Sequence, residues 1–265
     1  MGFERLRGLY EHVHVQTGAL FSRECALAED ALAFCFASYG PVAGRKPDGK
    51  TSRMLALFHR NCVYLSAAYQ LIRLGMLDPA GNNMRTVFET IVWQYAYLTD
   101  DSLYRESVGI EELETQKLAL VKSGQWSNTR ERRLENLRRK HGFQKAMRNL
   151  YSKEVYEKFF FNQYWALCQK SHTSIFGANL NTPTMEGATT LEKAPDEIRG
   201  SLSALLYLCA ENLILFMNSF HALMVQGEID AAISFTNRIN RSIPPALGLA
   251  PDGKKLEFTL HYREV

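Results

Sequence analysis

Arg85 and Glu89, in the stretch MRTVFETIVWQYAYL, stand four residues apart. On a helix that spacing puts a guanidinium and a carboxylate on one face. Their neighbours are mostly apolar, and charges taken out of water need partners. Two roles fit the pair: an internal ion pair that fixes helix register, or an anion-binding arginine oriented by its carboxylate. A second group, Ser171-His172-Thr173-Ser174, follows an aromatic-rich segment. A histidine at a helix C-terminus is favoured as a cation by the helix dipole. His172 is therefore either a cap or a proton carrier, with Ser171 and Ser174 as ligand hydroxyls. A third group, Glu211, Asn218 and His221, interrupts the apolar stretch 201–225. Glu211 and Asn218 are two helical turns apart and overlie. Buried polar side chains are hydrogen-bonded, so the stripe is either internally satisfied or turned to a ligand through Glu211 and His221.

The fourth group is a run of cations: Arg130, Arg132, Arg133, Arg138, Arg139, Lys140, Lys145 and Arg148. Only Glu131 and Glu135 oppose them, so the run carries +6 while the whole chain carries +3. Charge concentrated in this way is the footprint of a nucleic-acid surface, although most charged helices are only solvated faces. Arg132, Arg133, Arg138, Arg139 and Lys140 are the expected backbone contacts. Trp126 and His141 flank them as stacking groups.

Other chemistries are excluded by pattern. The chain has no glycine-rich phosphate loop, G-x-S-x-G or H-E-x-x-H. Glu11-x-x-His14 is its sole Glu-x-x-His, and a di-iron bundle needs two. The five cysteines are Cys25, Cys35, Cys62, Cys168 and Cys209, with no C-x-x-C spacing. Buried reduced thiols are expected, with no metal and no cofactor. The first residues carry charges and no apolar run, unlike a signal peptide, and Leu6 occupies the position where myristoylation needs Ser or Thr. A cytoplasmic location is the resulting expectation. Segment 201–225 is long enough to span a bilayer, but Glu211 and Asn212 sit mid-segment, which points to a core helix.

The elements that must hold these groups are helical. With 265 residues and 46% hydrophobic content, the chain can build a core without disulfides. A helix is expected over 17–38, ending at Tyr39-Gly40-Pro41, with a Gly/Pro-rich loop over 40–52. Thr51 or Ser52 then caps a helix, apolar on nearly all faces, that Gly75 terminates. Asp78-Pro79 opens the next helix, which carries Arg85 and Glu89 to about Leu98. A shorter helix follows over 109–122, then the charged stretch 128–150. An aromatic segment over 152–170 and a loop over 177–195 come next. The apolar helix 197–225 and a short helix 228–238 complete the bundle. Lys255–Tyr262 alternates with period two and reads as a strand. The fold class is thus mainly α: about seven or eight helices over 1–239, with a short C-terminal β-strand appended in 240–265. A lone strand must pair with something, and a homodimer is the expected outcome.

The block AAYQLIRLGMLDPAGNNMRTVFETIVWQYAYL over 67–98, with SHTSIFG over 171–177, resembles an uncharacterised family of prokaryotic helical proteins. In that family a helix ending in Leu-Gly precedes one bearing Arg-x-x-x-Glu, and a Ser-x-x-His-like element follows later. The matching residues here are Arg85, Glu89 and Ser171-His172, with Ser and His adjacent. The resemblance covers 54–176 and implies kinship with the HEPN superfamily of helical nucleases and nucleotide-binding bundles. Nucleases of that superfamily separate an Arg from a following His by four to six intervening residues. Arg7 and His12 have the spacing, but Gly8 stands where a polar residue is needed.

Two functions follow as expectations. One is a ligand-sensing or interaction module, its small-molecule ligand unidentified. There Arg85 binds an anion, Glu89 orients Arg85 and His172 closes the pocket. The other is an RNA-directed protein of HEPN-like character, of a defence or toxin type. In that case His172 acts as general acid/base, Arg85 stabilises phosphate charge and the 130–148 run holds the RNA backbone.

Overall fold

The computed structural model describes residues 3–143, 146 and 195–242. Those residues form eight α-helices and no strand. In chain order they are α1 (Phe3–Leu20), α2 (Ser22–Gly44), α3 (Gly49–Arg73), α4 (Leu77–Thr99), α5 (Asp101–Lys122), α6 (Asn128–Lys140), α7 (Pro195–Phe220) and α8 (Gln226–Ser242). A 3-10 turn, His221–Leu223, joins the last two. The mainly-α expectation holds. The aromatic segment 152–170, the loop ahead of 195 and the C-terminal strand with its dimer argument lie outside the described residues.

The described chain divides into two compact units, one holding 3–90 and 195–242, the other 91–143. In the first, α7 packs on α2, α3 and α8. It buries Leu202, Leu205, Leu206, Leu213 and Phe216, and Phe216 meets Phe58 of α3 at 4.3 Å between ring centroids. Pro195–Leu223 is long and apolar enough to cross a bilayer, but 83% of its most apolar window is buried inside the protein. It is the central helix of a bundle, which accounts for apolarity on every face.

Several boundaries differ from the sequence expectation. α2 does not stop at Tyr39 but runs through Pro41 to Gly44. Proline removes one helical hydrogen bond, yet Val42 beyond it is 1% exposed, so burial holds the last turn in place. The connection to α3 is correspondingly short. Asp48, with extended backbone, sits ahead of α3 in place of Thr51 or Ser52, and its carbonyl accepts from Ser52 N at 2.9 Å. α4 starts at Leu77, one residue before Asp78, and Pro79 falls within its first turn, where no helical N–H bond is required. α5 begins eight residues earlier than 109, because the Asp100 carboxylate caps it by accepting from Ser102 N (2.8 Å) and Leu103 N (3.3 Å). Gly75, at φ 73, terminates α3 as expected. Met76 N donates to Leu71 O and Gly75 N to Ile72 O, a Schellman closure. Gly124 ends α5 with the same pair of bonds.

Candidate functional site

Four polar assemblies stand out, and they differ in whether their charges are already satisfied. The Arg85–Glu89 pair forms as the spacing requires, with Nε to Oε1 at 2.9 Å. Met84, Val87 and Phe88 on the same helix are buried, while the pair sits on the flank, 25% and 35% exposed. It is therefore not sealed in the core. Ser171, His172 and Ser174, the intended partners, lie outside the described residues.

The α7 stripe is not a row of internal polar groups. Glu211 is half-buried, whereas Asn218 and His221 are exposed. Ten residues of helix, roughly 15 Å of rise, lie between Glu211 and His221, so they do not converge. The buried polar residues of α7 are Ser201, Ser203 and Asn212; Asn212, fully covered, accepts a 3.0 Å hydrogen bond from Asn61 of α3. Its amide lies 3.6 Å from Cys62 Sγ. Cys62, Cys35 of α2 and Cys209 of α7 share this layer, all at 0% exposure. A hydrogen bond with Cys209 pushes the Cys35 thiol up, and one with Cys35 does the same to Cys62; burial adds to both. Cys35 and Cys62 stay protonated, as buried structural cysteines do. Among the described residues, no group of three or more His, Cys, Asp or Glu is arranged to hold a metal.

A third assembly, which the sequence does not announce, ties α1, α2 and α3 together. Arg73 donates to Tyr69 Oη at 2.9 Å and to Glu29 Oε1 at 3.2 Å. Tyr69 in turn donates to Glu29 at 2.5 Å. Arg73 Nη2 lies 3.0 Å from His14 Nε2, and Nε is buried without a hydrogen-bond partner among the described residues. Arginine can only donate, so that imidazole nitrogen accepts and the ring proton sits on Nδ1. Burial and the bond to Glu29 push the Tyr69 phenol well above its usual value. Gly18 makes room here: a Cβ on it would stand 2.7 Å from Arg73 Nη2. The cluster is charge-balanced and interlocked, a structural clasp.

The fourth assembly, in the smaller unit, carries the basic run. Ser127 caps α6 by accepting from Arg130 N, and Leu134 turns inward at 0% exposure. Glu131 faces α5 and accepts from Lys117 Nζ (2.7 Å) and Trp126 Nε1 (2.6 Å). These bonds hold the Glu131 carboxyl below its ordinary value. Arg138 bonds Glu114 of α5 at 2.8 and 3.1 Å. At the far end His141 caps α6 and stacks on Trp93 of α4, with centroids 4.4 Å apart and planes 3° from parallel. Tyr97 Oη lies 3.3 Å from His141 Nε2 and donates to Ser107 Oγ at 2.9 Å. Trp126 and His141 thus work inside the protein, where the sequence had suggested stacking on a ligand.

That leaves Arg132, Arg133, Arg139 and Lys140. At 100° per residue they fall within an arc of about 120° centred opposite Leu134. All four are exposed. None forms an ion pair with a carboxylate among the described residues; Arg139 bonds only the Asn136 amide, at 2.6 Å.

No family model, curated protein or solved structure matches the chain. Functional assignment therefore falls to the chemistry of these groups alone. Of the sequence candidates, Arg138 is spent on α5, and the other four backbone contacts form one open cationic face. The clasp at Arg73 was missed because its members, at 14, 29, 69 and 73, follow no local spacing.

Proposed function

We propose that this protein binds RNA through the outer face of α6. The carrying observation is the division of cations on that helix. Arg138 is neutralised by Glu114, and Lys117 beneath it by Glu131. Arg132, Arg133, Arg139 and Lys140 point to solvent without a carboxylate partner among the described residues. Four desolvation-free charges over two turns attract a phosphate backbone by counterion release, with no need for a pocket. Arginine predominates, and its planar fork suits phosphate oxygens. The ligand-sensing alternative draws on the Arg85–Glu89 pair alone, since His172 is not described.

Ultraviolet cross-linking of the protein to 4-thiouridine RNA, followed by peptide mass spectrometry, tests the assignment. Cross-links concentrated in peptides spanning 128–141 are the expected result. Cross-links that avoid this segment, or none above background at low salt, contradict it.

A further inference from the structure

α5 turns Glu114, Lys117, Leu118, Val121 and Lys122 to one side, at the i, i+3, i+4, i+7, i+8 spacing of a single helix face. Arg138 reaches across from α6, and the six residues line an open groove of about 570 Å³. That volume falls within the range of small-molecule sites. The floor is aliphatic: Leu118 is 76% exposed and Val121 54%. Neither contributes to the packing of α5, whose buried residues are Leu103 and Leu113.

The groove has a sign as well as a shape. Three cations line it; Lys117 is paired with Glu131 and Arg138 with Glu114, so Lys122 leaves the groove with a net charge of +1. Lys122 has no ion-pair partner among the described residues. An occupant should therefore present a flat or compact apolar surface together with negative charge. Position narrows the choice. Arg138 lines the groove and is followed in sequence by Arg139 and Lys140, members of the free cationic face. Arg139, at the edge of that face, stands one residue, about 100° of helix, from Arg138 of the groove.

We infer that the α5–α6 groove receives an unstacked base of single-stranded RNA whose phosphates run along α6. This deepens, and rests on, the RNA-binding role of α6. A single strand can turn a base out of its backbone at little cost, whereas a duplex keeps its bases stacked and paired. Charge complementarity attracts both forms, and the aliphatic floor rewards only the first.

The test is fluorescence anisotropy with three labelled probes: an unstructured RNA oligomer, the same oligomer carrying abasic riboses, and an RNA duplex. The variant is Leu118→Ser with Val121→Ser, at two exposed positions where truncation leaves the core untouched. Single-strand affinity is expected to fall about tenfold in this variant, the order of losing the apolar area of two aliphatic side chains covered by a base. Wild-type protein should bind the abasic oligomer about as weakly. Duplex binding and the salt dependence of all three should not change, since no charge is altered. Equal wild-type affinity for the intact and abasic strands overturns the groove assignment while leaving α6 as an RNA surface. So does an equal loss of single strand and duplex in the variant. Absence of salt-sensitive binding to all three probes removes the RNA role itself.

Discussion

At the residue scale, the question for each polar side chain is whether the protein already satisfies it. Asn61 and Asn212 show two buried amides bonded to each other. They meet at 3.0 Å between α3 and α7, where both are about 1% exposed or less. Replacing Asn212 by Leu removes the acceptor while leaving the Asn61 amide buried, an arrangement that typically costs about 1–3 kcal/mol. Chemical denaturation of Asn212→Leu should show that loss, and the double variant with Asn61→Leu should recover part of it; a double-variant loss equal to the sum of the two single-variant losses would mean the pair is not coupled. Arg73, Tyr69 and Glu29 are likewise consumed by one another. The unsatisfied case is Arg132, Arg133, Arg139 and Lys140. Legibility at this scale was uneven. The basic run could be counted from the sequence, because charge is additive along the chain. Which of its members are free could not, because that depends on Glu114, 24 residues from Arg138.

At the element scale, α6 is a 13-residue helix held at several points along its inner face. A helix that short is marginal in isolation, so its order comes from docking. Leu134 inserts fully, Glu131 binds Lys117 and Trp126, and His141 stacks on Trp93. The Glu131 carboxyl is held below its ordinary 4.5 by the Lys117 and Trp126 hydrogen bonds. A carboxylate with a lowered folded-state pKa contributes stability that is fully present above 4.5 and lost as pH falls through the lowered value. Acid titration of the Trp126 indole N–H resonance should therefore show a transition below pH 4.5 that Glu131→Gln abolishes. A resonance indifferent to both changes would mean that the bond is absent in solution. Helix termini at this scale were read well where glycine acts locally, as at Gly75 with its positive φ. They were misread where tertiary packing prevails. Pro41 predicts a stop, but the buried Val42 carries α2 onward to Gly44.

At the scale of the whole molecule, the two compact units divide the chemistry. Residues 3–90 with 195–242 build a bundle around α7 and hold the Arg73 clasp and the Asn–Cys layer. Residues 91–143 are less apolar and carry the cations of α6 that have no carboxylate partner among the described residues. The sequence foretold the mainly-α class because 3.6-residue apolar periodicity is a local property repeated in every helix. It foretold the candidate site only in part. Arg85 and Glu89 pair as their spacing demands, while the intended convergence on His172 involves residues beyond those described. If α6 is an RNA surface, its affinity must depend on salt in proportion to the phosphates it neutralises. The most direct measurement is the salt dependence of RNA binding by wild-type protein and by the variant carrying Arg132→Ala, Arg133→Ala, Arg139→Ala and Lys140→Ala. Four single-strand phosphate contacts correspond to a log–log slope difference of about 3, and the variant should bind more weakly at every salt concentration. Parallel lines of equal affinity for the two proteins would contradict the account.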